Sequence, residues 1–491
     1  MKSSEWMDYY SDSECDGAYY GNFLSDTDST KTKKSCFKKL RALLFFGIVG
    51  TALFGSLLIY FTVVSPLLFS SDQNSTSAQP AANAPEAHQP LKLSCITKRV
   101  VGYYPGSLEV NTGQLQKLTH IIFEYVKLDR GHILKFENKT SEERFLEMKK
   151  KAREVNEDLK VMISIGAKDQ SNEFQIFLSD EIYRPKLIKA ILSLIEKYDI
   201  DGVDIFWLYV FPSIKQEYLE FTQELRQKFD KLGKASLISI TVSPTDYPRP
   251  LKNRYLWEDL VEKVDFINVF TYDYFVTRRD TYIGPSSPIY GGNTENLDST
   301  MKQITCKTGN PQKLNFFIPS YGTYWTNVTS PFSKGYLKWV SPLRYFFDWS
   351  LYHRDLKKQR VKYRDLKEFL KQWPGAEYHF HNESKSSYYW IPESETFITI
   401  EDEQSLREKV KYQDEMNIGG IGIMAIENDD DENTLLKAIS ADEKSCLTNK
   451  DYEVKYDCNQ KTQEFKFDMG KFKIMLHNLT NVLTDLGKKL E

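Results

Sequence analysis

Residues 201–210, DGVDIFWLYV, combine an acidic pair with a strand-like apolar run. Strand side chains alternate, so Asp204, Phe206 and Leu208 share one face. Carboxylates repeated along such a face would suit general acid catalysis, which needs a titratable donor within hydrogen-bond reach of its substrate. Here one carboxylate is followed by two hydrocarbon side chains, and neither Phe206 nor Leu208 can carry a proton. Other groups able to do chemistry end apolar runs elsewhere. They are Tyr272 and Asp273 in NVFTYDYF, Tyr321 in IPSYG, and Glu427 in GGIGIMAIENDD.

Each of these stretches needs an element to hold it. KRVVGYYPG, KLTHIIFEYV, LKVMISIG, DGVDIFWLYV, SLISITVSP, VDFINVFTYDYF, KLNFFIPSYG and GGIGIMAI read as eight buried strands. Helical patterns separate most of them. Residues 140–143 (TSEE) read as a capping box opening a helix that places Phe145, Met148, Ala152 and Val155 at helical spacing. YRPKLIKAILSLIEKY tolerates Pro185 in its first turn, and IKQEYLEFTQELRQKFDKLG stops at Gly233. Apolar strands alternating with helices predict an α/β fold with a parallel sheet, and eight of them a closed TIM (β/α)8 barrel. GYYPGS after the first strand is not a dinucleotide-binding turn. An aromatic-rich stretch, about 323–396, predicts a small α+β insertion between strands seven and eight.

The 491 residues exceed one average domain. With 65 Lys+Arg against 68 Asp+Glu, no bulk field favours nucleic acid. Residues 1–30 are acidic, and KTKKSCFKKLR then sets six basic residues before ALLFFGIVGTALFGSLLIYFTVV, an uncharged run of 23. That length crosses a hydrocarbon core of about 30 Å, and the basic flank keeps the N-terminus cytoplasmic. A cleaved signal peptide would have a shorter apolar region. The expected organisation is a cytoplasmic tail (1–41), a signal anchor (42–65) making a single-pass type II membrane protein, a Ser/Ala/Pro-rich stalk (66–94), a barrel (95–445) and a C-terminal extension (446–491). The barrel would then be lumenal or extracellular. Sequons at Asn74, Asn138, Asn327, Asn382 and Asn478 lie beyond the span, as do Cys95, Cys306, Cys446 and Cys458. Four cysteines allow three connectivities; nearness in sequence favours Cys446 with Cys458.

In order and spacing, VVGYYPG, KVMISIGA, DGVDIFWLYV, NVFTYDYF, IPSYG and GGIGIMAIENDD resemble strands one, three, four, six, seven and eight of glycoside hydrolase family 18, the chitinases and chitinase-like proteins. The match runs over roughly residues 99–438, and the anchor and pattern of loss look most like nematode-type membrane-anchored chitinase-like proteins. The resemblance implies substrate-assisted hydrolysis of β-1,4-linked N-acetylglucosamine polymers, an exception to the two-carboxylate scheme. In that pattern the fourth strand reads Asp-Gly-x-Asp-x-Asp-x-Glu. Asp201, Gly202 and Asp204 match it. Phe206 replaces the Asp that orients the substrate acetamide, and Leu208 replaces the general acid. Tyr272 and Asp273 match the acetamide-steadying pair of strand six. Tyr321 matches strand seven, Met424 stands in for the Trp that floors the sugar, and Ala167 replaces a strand-three Gly.

The resemblance therefore implies a pseudoenzyme without cofactor or metal. Losing the acid alone costs about 10²–10⁴ in rate. Asp204 lies about 13 Å below position 208 at ~3.3 Å per residue, too deep to replace the acid. Asp273 and Glu427 are the carboxylates that could be displaced donors. Binding of chitin or N-acetylglucosamine oligomers, or of extracellular matrix, would rest on rings and polar groups near the strand ends: Tyr104, Phe123, Asp204, Tyr209, Tyr272, Asp273 and Tyr321, with the insertion's TYW (323–325) and SSYYW (386–390). The rivals are a scaffold that keeps only the fold and a residual hydrolase using a displaced acid.

Overall fold

A computed structural model describes residues 97–129, 134–166, 171–208, 210–234, 236–243, 254–274, 282–291, 296–326, 328, 338–339, 359–440 and 452–459. The expected tail, membrane span and stalk lie outside these residues, as do Ala167, Tyr209, Asn74, Asn327, Asn478, Cys95 and Cys446. Among the described residues no helix is long and apolar enough to cross a membrane.

In chain order the elements are β1 (Arg99–Tyr104), α1 (Thr112–Lys117), β2 (His120–Leu128), β3 (Leu134–Phe136), α2 (Lys139–Val155), β4 (Lys160–Ile165), α3 (Ser171–Ser179), α4 (Tyr183–Tyr198) and β5 (Gly202–Phe206). Then come α5 (Lys215–Phe229), β6 (Leu237–Val242), α6 (Trp257–Val261), β7 (Phe266–Phe270), β8 (Tyr282–Ile283), α7 (Leu297–Thr308), β9 (Leu314–Pro319), β10 (Tyr321–Trp325), β11 (Lys338–Trp339) and β12 (Gln359–Lys362). The chain closes with α8 (Tyr363–Leu370), β13 (Glu377–His381), β14 (Ser386–Ile391), β15 (Thr396–Ile400), α9 (Glu403–Glu415), β16 (Gly420–Met424) and α10 (Thr434–Ile439).

β1, β2, β4, β5, β6, β7, β9 and β16 pair in parallel in that circular order, and the β16–β1 and β1–β2 ladders close the barrel. The strand runs are almost wholly apolar because both faces are buried. In β5 the outward Val203 and Ile205, with Trp207 just past the strand, pack under the helices. Phe206 and Leu208 point into the lumen beside Tyr103, Met162, Phe270 and Phe317. Gly202 is required by close approach: a Cβ there would sit 2.3 Å from the Leu237 carbonyl oxygen of β6.

Two acidic residues peg helices to strands in the same way. Asp201 Oδ2, just before β5, accepts from Arg153 of α2 at 2.6 Å and from the Val161 amide of β4 at 2.7 Å. Asp265, just before β7, accepts from Arg226 of α5 and from the Ile238 amide of β6 at 2.7 Å. Each carboxylate satisfies a strand amide and fixes a helix with one side chain.

α2 starts before the expected capping box. Asn138 is its N-cap and takes the Ser141 amide at 2.9 Å, which leaves Thr140 inside the helix. α5 ends at Phe229, and Gly233 (φ 71°) closes the turn beyond it.

Between β9 and β16 the chain forms a five-stranded antiparallel sheet, ordered β12-β10-β15-β14-β13, with α8 packed on one face. Beyond the barrel, Cys458 bonds to Cys306 of α7, a separation of 152 residues. The expectation of a Cys446–Cys458 bridge is therefore corrected. Residues 452–459 lie back along the barrel, with Asn417 Nδ2 bonded to the Glu453 carbonyl at 2.8 Å and Tyr456 hydroxyl to Tyr412. That docking brings Cys458 to a helix remote in sequence.

Candidate functional site

The mouth of the barrel is built by the ends of β2, β5, β7, β9 and β16 and by the first strand of the inserted sheet. β5 ends at Phe206, so Leu208 lies just past the strand, yet both side chains are buried, at 1% and 5% exposure. Phe206 packs against Tyr103 (centroids 6.1 Å) and Phe270 (5.5 Å). Phe270 also meets Phe317 at 5.5 Å and Tyr272 at 5.1 Å. Met424 ends β16, buried in the same apolar cluster. Where the catalytic pattern carries two carboxylates and a ring, this lumen is filled with hydrocarbon. Such packing removes the desolvation cost of buried charge.

Asp204 lies beneath that plug with no exposure. Its carboxylate accepts from Ser239 Oγ (2.6 Å), Tyr103 hydroxyl (2.7 Å), Thr241 Oγ1 (3.0 Å), Asn268 Nδ2 (3.2 Å) and Ser164 Oγ (3.3 Å). The chain continues downward: Asn315 Nδ2 donates to Asn268 Oδ1 at 3.0 Å, and Arg99 Nε donates to Asn315 Oδ1 at 2.8 Å. Burial pushes the Asp204 carboxyl above the ordinary range, opposed by the donors from Ser239, Tyr103, Thr241 and Ser164. Burial, and then the neighbouring Asp204, push the Tyr103 hydroxyl well up. These groups satisfy one another inside the barrel and present no free acid to the mouth.

Tyr272 and Asp273 sit beyond the end of β7. Asp273 adopts a left-handed backbone (φ 59°), uncommon for a residue with a side chain. Its Oδ2 accepts from Tyr321 hydroxyl at 2.8 Å and Arg360 Nη2 at 2.6 Å; Ser286 Oγ lies 3.4 Å from Oδ1. Arg360 comes from β12, and its Cζ stands 4.3 Å from the Tyr321 ring centroid. Among the described residues the buried Tyr272 hydroxyl has no hydrogen-bond partner. Its pKa, like that of Tyr321, is driven well up, by burial first.

The remaining expected residues separate from this group. Tyr104 and Phe123 pack together, 5.9 Å apart, in the layer between barrel and helices with Phe145, and the Tyr104 hydroxyl donates to the Leu108 carbonyl at 2.6 Å. Glu427 holds the loop after β1, its Oε2 accepting from the Ser107 amide at 3.0 Å and lying 3.4 Å from that of Leu108. Burial raises its carboxyl pKa against those donors. Of the sequons, Asn138 is an exposed helix cap. Asn382 is exposed in the β13–β14 turn, although Ser384 of that sequon is buried.

Two contributors were not anticipated. Arg360 sits in the basic run KKQRVK, which gives no sign of a site. Glu124 did leave a trace, as the one carboxylate in the apolar run of β2. It is 3% exposed and close enough to Tyr103 and Tyr272 to raise both phenols.

Comparison with known proteins supports the fold and its family. Residues 99–429 match the sequence profile described as Glycosyl hydrolases family 18. The oviduct-specific glycoprotein of Papio anubis is 26% identical over 246 residues, which cover 47% of this chain and 39% of that protein. The chain thus spans about two fifths of that relative's length. Among solved structures, the Ostrinia furnacalis Group IV chitinase in complex with allosamidin shares 20% identity at a TM-score of 0.59, covering 70% of this chain and 97% of its own. A plant class V chitinase mutant from Cycas revoluta in complex with (GlcNAc)3 shares 19% identity at the same TM-score, covering 70% and 98%. At these identities the structural likeness concerns the fold.

Proposed function

This chain belongs to glycosyl hydrolases family 18. From that premise we propose that it is a catalytically inactive, chitinase-like protein, anchored as a single-pass type II membrane protein, which binds N-acetylglucosamine chains outside the barrel mouth. The observation that carries the inactivity is the pair Phe206 and Leu208, buried hydrocarbon at the positions of the acetamide-orienting Asp and the acid. Chemistry at a glycosidic oxygen needs a proton there, and neither side chain has one. Asp273 is occupied as an acceptor from Arg360 and Tyr321, and Glu427 as an acceptor of loop amides, so neither replaces the donor.

Support for glycan binding comes from the inserted sheet, where half-buried Tyr388 stacks on His379 at 5.0 Å and 18° above the buried cluster of Trp325, Trp390 and Phe397. A partly exposed flat ring of this kind takes the apolar face of a pyranose. The scaffold reading draws on a different observation: Tyr272, Tyr321 and Met424 are all nearly inaccessible. Anchoring rests on the uncharged run 42–65 with its basic N-terminal flank.

Full-length protein in mild detergent, incubated with a fluorogenic N-acetylglucosamine oligomer, is expected to release no fluorophore above buffer. The same protein is expected to be retained on chitin beads and displaced by soluble oligomers. Turnover abolished by Asp273→Asn or Glu427→Gln would overturn the inactivity, and absence of retention would leave the scaffold. A mass loss on enzymatic deglycosylation is expected if the C-terminal region is lumenal.

A further inference from the structure

We infer that Arg360 is a built-in ligand of the barrel mouth, holding closed the position at which Tyr321 and Asp273 would otherwise meet a sugar. The inference rests on the glycan reading above. In the register of the inserted sheet, Arg360 lies opposite Thr323 and diagonal to Tyr321, so its side chain shares their face. From there it makes two contacts at once, an ion pair with Asp273 Oδ2 at 2.6 Å and a stack over the Tyr321 ring at 4.3 Å. The guanidinium side chain is 4% exposed.

A pyranose uses the same two kinds of contact. Its C–H face stacks on an aromatic ring, and its hydroxyl or amide N–H groups donate to a carboxylate. A planar guanidinium supplies both from one side chain, as a stacking plane with a fork of donors. Arg360 therefore satisfies Asp273 and covers Tyr321 in the manner of a ligand, and any sugar must displace it from both. The neighbouring Tyr272 provides a separate observation. Its ring lies 6.3 Å from that of Tyr321, and its buried hydroxyl has no hydrogen-bond partner among the described residues. A buried donor left in that state costs free energy that an acceptor on an entering molecule would recover. Closure of the mouth thus has two parts: the Phe206–Leu208 plug blocks chemistry, and the Arg360 latch blocks entry.

Calorimetric titration of full-length wild type, Arg360→Ala and Arg360→Gln with (GlcNAc)4 tests the latch, with circular dichroism confirming folding. Each folded variant is expected to bind at least tenfold more tightly than wild type. Unchanged affinity overturns the inference, and weaker affinity overturns it by making Arg360 a sugar contact. If releasing Asp273 unfolds the single variants, Arg360→Lys keeps the charge beside Asp273 while removing the planar group over Tyr321, and it is expected to bind (GlcNAc)4 more tightly than wild type. Retention of wild type on chitin beads decides the glycan reading separately. A variant that gains (GlcNAc)4 binding while wild type is not retained keeps the latch and removes that reading.

Discussion

Asp204 separates a structural role from a functional one, because it matches a catalytic-strand motif but sits in a closed polar network. Its carboxylate accepts from Ser239, Tyr103, Thr241, Asn268 and Ser164 between 2.6 and 3.3 Å. Replacing it with Asn keeps the shape but turns one acceptor oxygen into a donating amide. The three hydroxyls of Ser164, Ser239 and Thr241 can rotate to accept. Asn268 cannot, because its own Oδ1 already takes the Asn315 amide. About two donors lose their acceptor, each costing ~1–3 kcal/mol, partly offset by removing a buried charge. The expected loss is about 2–3 kcal/mol for Asp204→Asn and about 3–5 kcal/mol for Asp204→Ala, which strands every donor and opens a cavity. At ~2–4 °C per kcal/mol, the Asn variant should melt roughly 4–12 °C below wild type. Urea and thermal unfolding of full-length protein, followed by tryptophan fluorescence, read the loss directly, and retention on chitin beads is measured alongside. A variant as stable as wild type that no longer binds beads would refute the structural assignment and make Asp204 a ligand contact.

Further outcomes follow from the same geometry. Restoring the motif with Phe206→Asp and Leu208→Glu should not restore turnover, because Met424 supplies no floor and Asp273 stays bound to Arg360. Two carboxylates set among buried rings should lower stability by several kcal/mol, and measurable hydrolysis by the double variant would contradict this account. Cys458→Ser should cost about 2–5 kcal/mol, since the bond to Cys306 closes a loop of 152 residues; unchanged melting would show that the docked segment needs no covalent tie. His120, at the lower end of β2, has its pKa pushed down to about 3, by burial first and then by Arg99 and Lys160. The unfolded chain takes up that proton near 6.5, so the ring's contribution is complete above about pH 6.5. It falls by up to ~1.4 kcal/mol per pH unit as pH drops toward 3. His120→Phe should flatten the acid limb of the stability curve by one proton, and parallel curves for both proteins would exclude the effect.

The barrel was legible in the sequence because burial on both faces leaves strands as short apolar runs, and eight in series admit few topologies. The plug at Phe206 and Leu208 was legible for a local reason: alternation along one strand fixes which residues share a face. Arg360 was not legible, since its partner Asp273 is 87 residues away and only the register of β10 with β12 brings them together. The Cys306–Cys458 bond was hidden in the same way, by a docked segment that sequence distance cannot reveal. Tyr104 and Phe123 read as mouth residues because aromatic character alone does not say which side of a barrel wall a ring faces. Their packing under the helices shows the outward side.

The peg made by Asp201 bears on how degraded sites are to be interpreted. Its carboxylate joins α2 to β4 at the lower rim of the sheet, and Asp265 does the same for α5 and β6 at a place where no catalytic motif exists. The first letter of the motif is thus an assembly part; on the proposed reading the letters at 206 and 208 are reaction parts, which a chain can discard while obliged to keep the first. Partial survival of such a signature then measures how much folding depends on it, and a search that counts surviving letters will rank inert barrels beside working ones.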